Sequence, residues 1–340
     1  MMDKNQLSKR FIQFAAECQS STLYEHLSLH IAEDPELLEL SSYAQKGQPM
    51  PNLFFGAVHY LLLNGKEHSL KNFYPSLEKQ PETEGVFTHF KDFCLAHRGE
   101  IIPILERKLV QTNEVRRCAY LYPSFCYIYD KVKKPLALIE IGTSSGLQLL
   151  WDQFSYSYGT GITYGNPRGT VHITSEIKGD STPLLLDTAP PVSVRIGVDL
   201  HVNDVSNPED KQWLQALIWP EHHERRELFA RASQCVQETP IQLIEGDGVA
   251  LLTQLIDQIS TDSLICVFHT HVANQIPKEA KKRLTETIQE IGSTRDIAHL
   301  YNNMNDGDLH LDYVLNGKTY NHTLGATEGH GRWFEWNIVD

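Results

Sequence analysis

Apolar residues recur at helical spacing through the first third of the chain. Leu7, Phe11, Phe14 and Cys18 follow one another at intervals of three or four residues, which places them on one face of a helix. A longer apolar run at residues 53–63 predicts a helix that is buried on most sides. From this pattern we expect residues 1–134 to form a helical N-terminal cap.

The pattern changes after Pro135, where strand-like and helix-like segments alternate. Short apolar runs predict strands at Leu136–Ile141, 192–199, 241–244, 264–269 and 297–301. Helices are predicted at 146–154, 249–259 and 277–291, and at 210–236 with an interruption at Trp219-Pro220. Residues 155–190 are rich in Gly, Thr, Ser and Tyr and predict a β-rich insertion, and Asn316-Gly317 predicts a hairpin. Strands that alternate with helices predict a parallel sheet. Residues 135–340 are therefore expected to form an α/β core with a mostly parallel sheet and a C-terminal antiparallel hairpin.

The most informative stretch is the loop that follows the first predicted strand. That strand ends in the acidic residue Glu140, and small residues from Gly142 to Gly146 lead directly into an apolar helix. Such a turn is expected to expose unpaired backbone N–H groups, and its glycines let a ligand approach the backbone closely. Open α/β sheets bind their ligands at the carboxyl ends of strands, where Glu140 lies.

Three ligand-binding or catalytic interpretations of this loop stay open on its residues alone. A dinucleotide fingerprint needs a third glycine where the chain has Ser144, so a pyrophosphate site fits poorly. The spacing also matches G-x-S-x-G, with Ser144 as a hydrolase nucleophile. Glu140, Gly142 and Gly146 resemble the first motif of class I S-adenosylmethionine methyltransferases, apolar–Glu/Asp–x–Gly–x–x–x–Gly. A strand–helix turn without any ligand is the simplest alternative.

The methyltransferase resemblance implies polar residues at the ends of further strands. Asp199 ends the second strand, where its carboxylate would accept hydrogen bonds from ribose hydroxyls, unless it only caps a turn. Gly246 and Asp247 follow the third strand, near the expected adenine, although Asp247 also suits the N-cap of the next helix. His269 ends the fourth strand and is the candidate catalytic residue, as a general base or as a polar wall. A buried structural histidine is the alternative.

A polar segment before the first strand adds to the candidate site. Residues 113–129 predict a helix with Asn113 as its N-cap, and Arg116 and Arg117 fall on it. The methyltransferase resemblance implies that this segment folds over the cofactor, with a guanidinium on the methionine carboxylate and Asn113 near the ligand. The alternative is a surface salt bridge. Thr143 and Ser144 would contribute mainly backbone groups to the same cofactor.

Several segments resemble a bacterial protein family of unknown function, and the resemblance spans roughly the whole chain. The segments are Asn52-Leu53-Phe54-Phe55, residues 112–118, 140–150, 195–199 and 216–222, and Gly246-Asp247. The resemblance implies a methyltransferase-like core but brings no established substrate. One local departure is His201-Val202, where the family has a proline after the Asp–apolar pair.

Composition limits the class of partner. The chain has 340 residues, of which 41% are hydrophobic and 21% charged, as in ordinary soluble proteins. A formal charge of −13 argues against nucleic acid and anionic membranes as partners, and neither a signal peptide nor a transmembrane run is found. The scattered cysteines have no C-x-x-C pair, which suits the cytoplasm. No metal is expected, because the spacing typical of metal sites is absent among the histidines near predicted strand ends, His201, His222, His223, His269 and His271.

We therefore expect a cytoplasmic S-adenosylmethionine-dependent methyltransferase that acts on a small molecule, built on a Rossmann-like sheet. A serine hydrolase is the alternative enzyme. It would use Ser144 in the order Ser–Asp–His, which Asp247 and His310 can supply, but an upstream H-G-G-G loop is missing. A degenerate methyltransferase fold that binds a metabolite or a protein is the alternative without catalysis.

Overall fold

The computed structural model describes residues 3–179 and 181–338. Asp180, inside the predicted insertion, and residues 1–2 and 339–340, at the ends of the two predicted domains, lie outside the described residues. Contacts divide the chain into two compact units, with boundaries at Thr112/Asn113, Ser206/Asn207 and Glu227/Leu228. Residues 113–134 therefore group with the sheet, whereas the sequence placed them in the N-terminal cap, and residues 207–227 group with the N-terminal helices.

Within the described residues, the chain is helical up to residue 132, and strands first appear at residue 136. The helices are α1 (Lys4–Glu17), α2 (Thr22–Ile31), α3 (Pro35–Ser41), α4 (Met50–Leu63), α5 (Val86–Ala96), α6 (Arg98–Arg107), α7 (Cys118–Val132), α8 (Pro208–Ala216), α9 (His223–Glu238), α10 (Gly248–Ile256) and α11 (Lys278–Gly292). The strands are β1 (Leu136–Ile141), β2 (Ser155–Ser157), β3 (Thr163–Gly165), β4 (His172–Thr174), β5 (Glu176–Lys178), β6 (Val192–Asp199), β7 (Gln242–Glu245), β8 (Leu264–His269), β9 (Ile297–Tyr301), β10 (Leu309–Leu315), β11 (Lys318–Gly325) and β12 (Trp333–Glu335).

The helical unit encloses one aromatic-rich core. Phe11, Phe54 and Phe55 are fully buried there, and the rings of Phe11 and Phe54 meet edge to face. Trp213 of α8 belongs to the same core, and its Nε1 donates to the carbonyl oxygen of Leu109 at 2.8 Å. These contacts explain why α8, which lies beyond the first two long strands in sequence, groups with the N-terminal helices.

The main sheet of the second unit, the sheet unit, has seven strands in the order β11-β10-β9-β8-β1-β6-β7. The strands β7, β6, β1, β8 and β9 are parallel, and β10 and β11 form an antiparallel hairpin at one edge. When the parallel strands are numbered along the chain, their order is 3-2-1-4-5, as in doubly wound α/β sheets. The predicted fold class, a mostly parallel α/β sheet with a C-terminal antiparallel hairpin and N-terminal helices, is confirmed.

Both faces of the parallel strands are covered by helices. Ile139 and Ile265 pack on one face against Leu252 of α10 and Leu284 of α11. On the other face, Phe125 of α7 meets the ring of Phe268 edge to face at 5.5 Å. Burial on both faces explains why β1 and β8 are uninterrupted apolar runs before their last polar residues.

Two local predictions differ from the structure. The predicted helix at 146–154 is a 3-10 helix, Leu147–Gln153, with non-helical dihedral angles at Leu150. The predicted helix at 113–129 begins as a 3-10 turn, Val115–Arg117, and continues as α7. Asn113 is not its N-cap: the side chain of Glu114 accepts from the N–H of Arg116 instead. The predicted insertion contains β2 to β5, of which β5 pairs with β12.

Candidate functional site

The carboxyl ends of β1 and β8 define the crevice of the sheet. From β1 the chain crosses to β6 on one side, and β8 pairs with β1 on the other, so the strand order reverses between them. Ligands of open α/β sheets bind outside the carboxyl ends at such a switch point. The loop after β1, the loop after β8 and the segment before α7 provide the polar residues here.

The loop from Gly142 to Gly146 has a backbone that requires small residues. Gly142 and Gly146 have φ angles of +75° and +76°. A Cβ atom on Gly142 would overlap the side chain of Val272, and one on Gly146 would lie 2.7 Å from Cδ1 of Ile241. Ser144 adopts a φ of +51°, which is uncommon for a residue with a side chain. The loop is therefore tightly constrained by packing.

Most backbone N–H groups of this loop are already bonded inside the protein. The N–H groups of Gly142 and Thr143 donate to the carbonyl oxygen of Val198, and that of Ser144 donates to Oδ2 of Asp199 at 2.7 Å. The prediction that the loop exposes unpaired N–H groups is wrong for these residues. These hydrogen bonds instead hold the loop after β1 against the carboxyl end of β6, at Val198 and Asp199.

Asn113 holds the tip of the loop with its side chain. Its Nδ2 donates to Oγ of Ser144 at 3.0 Å, and its Oδ1 accepts from Oγ of Ser145 at 2.6 Å. Nδ2 of Asn203 also donates to Oγ of Ser144, at 3.3 Å. From the sequence we expected Asn113 near this loop, and in the structure its side chain contacts Ser144 and Ser145.

Glu140 is a buried carboxyl group at the carboxyl end of β1, with 4% of its surface exposed. It accepts a hydrogen bond from Oγ1 of Thr143 at 2.5 Å. Burial raises the pKa of Glu140 to about 8, and the charge of Asp199 adds to the rise, while Thr143 and the charge of Arg117 oppose it. The group is therefore mostly protonated at neutral pH, and a cation beside it would favour its ionised form.

Arg117 is a buried guanidinium close to the same carboxyl group. Only 7% of its surface is exposed, and its Nε donates to the carbonyl oxygen of Gly329 at 2.9 Å. Its positive charge lowers the pKa of both Glu140 and His271, so it lies near the ends of β1 and β8. Arg116 is buried as well, and neither arginine is a surface residue. The surface salt bridge considered for this pair is therefore wrong.

Asp199, Gly246 and Asp247 lie at the ends of the neighbouring strands. Asp199 is half-buried, and its Oδ1 accepts from the N–H of His201 at 3.1 Å. The N–H of Gly246 donates to the carbonyl oxygen of Asp199, which joins the ends of β6 and β7. Asp247 caps α10, because its Oδ1 accepts from the N–H groups of Val249 and Ala250. The capping role considered for Asp247 is present.

His269, the candidate catalytic residue, is fully buried. Its Nε2 shares a hydrogen bond of 3.2 Å with Nε2 of His299, and its ring stacks on that of Tyr301. Burial lowers the pKa of His269 to about 3, and the charge of Lys281 adds to the shift. The ring has no surface to offer a substrate in this conformation, although it ends β8 as expected.

His271 lies two residues beyond His269, in the loop after β8, and a hydrogen bond determines which of its ring nitrogens carries the proton. Nδ2 of Asn303 donates to Nδ1 of His271 at 3.1 Å, so the proton of the neutral ring is on Nε2. Burial lowers the pKa of His271 to about 4, and the charges of Arg117 and His330 add to the shift. Among the described residues, its buried Nε2 has no hydrogen-bond partner. Neutral His271 is thus a hydrogen-bond donor.

Sequence reasoning missed a carboxylate–histidine pair in this crevice. Nδ1 of His330 lies 3.0 Å from Oε2 of Glu114, which is almost fully buried. Glu114 lies between Asn113 and the two arginines, and His330 lies on a loop before β12, where no strand or helix period marks it. The available signal was a histidine flanked by two glycines, Gly329 and Gly331.

The residues of the hydrolase alternative do not assemble into a triad. The hydroxyl of Ser144 accepts from two amide side chains, Asp247 caps a helix, and Nε2 of His310 bonds Oδ1 of Asp306 at 2.8 Å. His222, which the sequence placed near a strand end, bonds Ser20 in the helical unit. Within residues 3–179 and 181–338, no three His, Cys, Asp or Glu side chains are grouped as metal ligands. No helix in the same ranges is long and apolar enough to cross a bilayer.

Fold and crevice together define a doubly wound α/β protein with a group of polar and charged side chains at its switch point. The chain belongs to the family described as "uncharacterized protein conserved in bacteria (DUF2332)", whose model matches residues 8–336. This match confirms the resemblance to a bacterial family of unknown function. No curated protein and no solved structure matches the chain significantly.

Proposed function

We propose that the protein binds S-adenosylmethionine in the crevice and transfers its methyl group to a small molecule. The observation that carries the proposal is a pair of buried ionisable side chains, the carboxyl group of Glu140 and the guanidinium of Arg117. Among the described residues they do not pair with each other: Glu140 bonds Thr143, and Nε of Arg117 bonds Gly329. An α-amino acid group offers one ammonium and one carboxylate and therefore complements both side chains. S-adenosylmethionine ends in such a group.

The nucleoside part of the ligand suits the end of β6. The carboxylate of Asp199 can accept hydrogen bonds from vicinal ribose hydroxyls, since a carboxylate has about four acceptor positions. Leu200 follows it with 77% of its surface exposed, and so offers an apolar face for the adenine. The bound cofactor would supply an electrophilic methyl group on its sulfonium, and the chain would hold both ends of the molecule in a fixed orientation.

Calorimetry with S-adenosylhomocysteine, adenosine and homocysteine tests the two halves of this site separately. Arg117→Met keeps the aliphatic stem but removes the guanidinium, so the affinity for S-adenosylhomocysteine should fall at least tenfold, about 1.4 kcal/mol. Its affinity for adenosine should be unchanged. Asp199→Asn should lower the affinity for adenosine and leave the affinity for homocysteine unchanged. Arg168→Met, at an exposed arginine, is the matched control. Failure of the wild type to bind S-adenosylhomocysteine would overturn the proposal.

Glu140 provides a second and independent readout. Because its pKa is about 8 without a ligand, an ammonium group that ionises it at pH 7 should release close to one proton. The binding enthalpy should then depend on the ionisation enthalpy of the buffer. This dependence should be lost in Glu140→Gln and should be absent with adenosine, which has no ammonium group. An equal buffer dependence for both ligands would argue against contact between Glu140 and the amino acid group.

A further inference from the structure

The Glu114–His330 pair lies at the crevice and is not among the groups proposed above to hold the cofactor. We propose that His330, oriented by Glu114, is the general base that accepts the proton of a hydroxyl group on the methyl acceptor. The inference rests on the proposed methyl transfer and names the acceptor as a small molecule with a nucleophilic hydroxyl. It replaces His269, which is closed off in the core, in the role of base.

Glu114 is fixed from several sides. Its Oε1 accepts from the N–H of Arg116 at 3.1 Å, and its carbonyl oxygen accepts from Nε2 of Gln148 at 3.3 Å. Only 2% of the residue is exposed. The carboxylate therefore has a defined position when it meets Nδ1 of His330, and such a partner fixes the orientation of an imidazole.

The loop that carries His330 is equally well defined. The N–H of His330 donates to Oε2 of Glu328 at 3.0 Å, and the same carboxylate binds the guanidinium of Arg332. Gly331 has a φ of +72° and packs on Arg116: a Cβ atom there would lie 2.6 Å from the carbonyl oxygen of Arg116. The loop is thus held against the segment that carries Glu114.

The partner of His330 determines which ring nitrogen is available. With Glu114 ionised, as the proposal requires, its carboxylate can only accept a hydrogen bond, so the neutral ring of His330 carries its proton on Nδ1 and leaves a lone pair on Nε2. In the described part of the chain no atom is bonded to this Nε2, and 39% of the side chain is exposed. An oriented imidazole with an accessible lone pair is the usual form of a general base.

His271 supplies the complementary group. A Cβ atom on Gly329 would lie 4.0 Å from Cε1 of His271, so the two histidines border the same part of the crevice. Neutral His271 presents a donor at Nε2, whereas His330 presents an acceptor. The charged groups around them are Glu114 before α7, Arg117 at its start, and Glu328 and Arg332 on the loop. Because Nε2 of His271 is buried in the ligand-free chain, an acceptor oxygen would have to enter between the two histidines to accept from it while its proton points to His330.

The step is balanced without a further reactant. The acceptor oxygen forms a bond to the methyl carbon, the bond between that carbon and sulfur breaks, and its electron pair neutralises the sulfonium. The O–H bond breaks and its proton goes to Nε2 of His330, where Glu114 stabilises the imidazolium. A hydroxyl needs this assistance, because the protonated ether that would form otherwise is a very strong acid. A neutral amine needs no base before its attack.

The test uses the full chain with S-[methyl-³H]adenosylmethionine and a bacterial metabolite extract below about 3 kDa. Labelled products of the wild type should be methyl ethers by mass spectrometry, whereas methyl esters would come from carboxylates, which need no base. His330→Ala should lower the transfer rate at least 100-fold, within the usual contribution of a general base, while its affinity for S-adenosylhomocysteine stays within twofold. Added imidazole should restore part of the rate. His310→Ala, at a histidine paired with Asp306, is the matched control.

Two further readouts separate a base from a structural residue. The transfer rate of the wild type should fall toward acid pH, because a protonated imidazole cannot accept a proton, and this decline should be absent from the residual rate of His330→Ala. His271→Ala should raise the KM of the acceptor and keep the acid decline.

The outcomes separate this inference from the proposed function. If S-adenosylhomocysteine binds and label is transferred, but His330→Ala is as active as the wild type, only the base assignment is wrong. If the ligand binds and no label is transferred, both the transfer and the base are overturned. If the only labelled products are N-methylated amines, the hydroxyl acceptor is wrong.

Discussion

Two histidines of the sheet unit lie near its crevice in opposite environments. His269 is fully buried, and its hydrogen-bond partner is a second imidazole, that of His299. His330 is partly exposed and its partner is the carboxylate of Glu114. The first pair is suited to hold strands β8 and β9 together, and the second to accept a proton. Partner and burial, not position at a strand end, distinguish the two roles.

The largest expected difference between the two pairs is in stability. His269→Ala removes a fully buried ring and leaves Nε2 of His299 unpaired, so it should lower the free energy of unfolding by about 2–4 kcal/mol. His330→Ala, at a partly exposed site, should cost less, about 1–2 kcal/mol, most of it from the lost partner of Oε2 of Glu114. Urea unfolding followed by circular dichroism measures both. Equal losses for the two variants would remove the basis of the comparison.

A smaller difference should appear at acid pH. The pKa of folded His269 is about 3, whereas an unfolded histidine has about 6.5, so the unfolded chain binds more protons between these values. Stability is therefore lost as pH falls below 6.5, by roughly 2 kcal/mol at pH 5 for one such group. The change between pH 7 and pH 5 should be smaller by this amount in His269→Gln. Parallel profiles for the variant and the wild type would contradict this assignment.

The smallest effect on stability is expected at the loop that carries His330. Gly331→Ala imposes a side chain at positive φ and against the carbonyl oxygen of Arg116, which should cost about 1 kcal/mol or somewhat more. Gly159→Ala is a matched control, because Gly159 also has positive φ but has no atom within 4 Å of the added Cβ. Only the Gly331 variant should lower methyl transfer, with S-adenosylhomocysteine affinity unchanged. Equal transfer by both variants would show that the loop position does not matter.

The sheet could be predicted from the sequence because its signals are local. The apolar runs of β1 and β8 and the Asn316-Gly317 turn each lie within a few residues of chain. The division of the chain into two units could not be predicted in this way. Helix α8 joins the N-terminal helices through Trp213, whose indole donates to Leu109 about a hundred positions earlier in the sequence. The 3-10 helix after Gly146 also escaped prediction, since its kink at Leu150 leaves no mark in the apolar pattern.

The candidate site was predicted in part for the same reason. Glu140 and Asp199 were found because they end strands, and Asn113 and Arg117 because they precede the first strand in a recognisable segment. The N–H groups of the loop after β1 were misjudged, since their acceptors, Val198 and Asp199, belong to another strand. His330 was missed because its partner, Glu114, is distant in sequence and because the loop around it has no helical or strand-like spacing of apolar residues.

The separation of Glu114 and His330 in the sequence also determines the order in which they are synthesised. Glu114 and His330 are 216 positions apart. A ribosome that adds roughly 10 residues per second needs about 20 s to pass from one codon to the other, and by then all five parallel strands have been synthesised. A nascent chain therefore passes through a stage in which the residues proposed to bind the cofactor exist without the proposed proton acceptor. In the proposed reaction, the ability to hold the cofactor can arise earlier than the ability to use it.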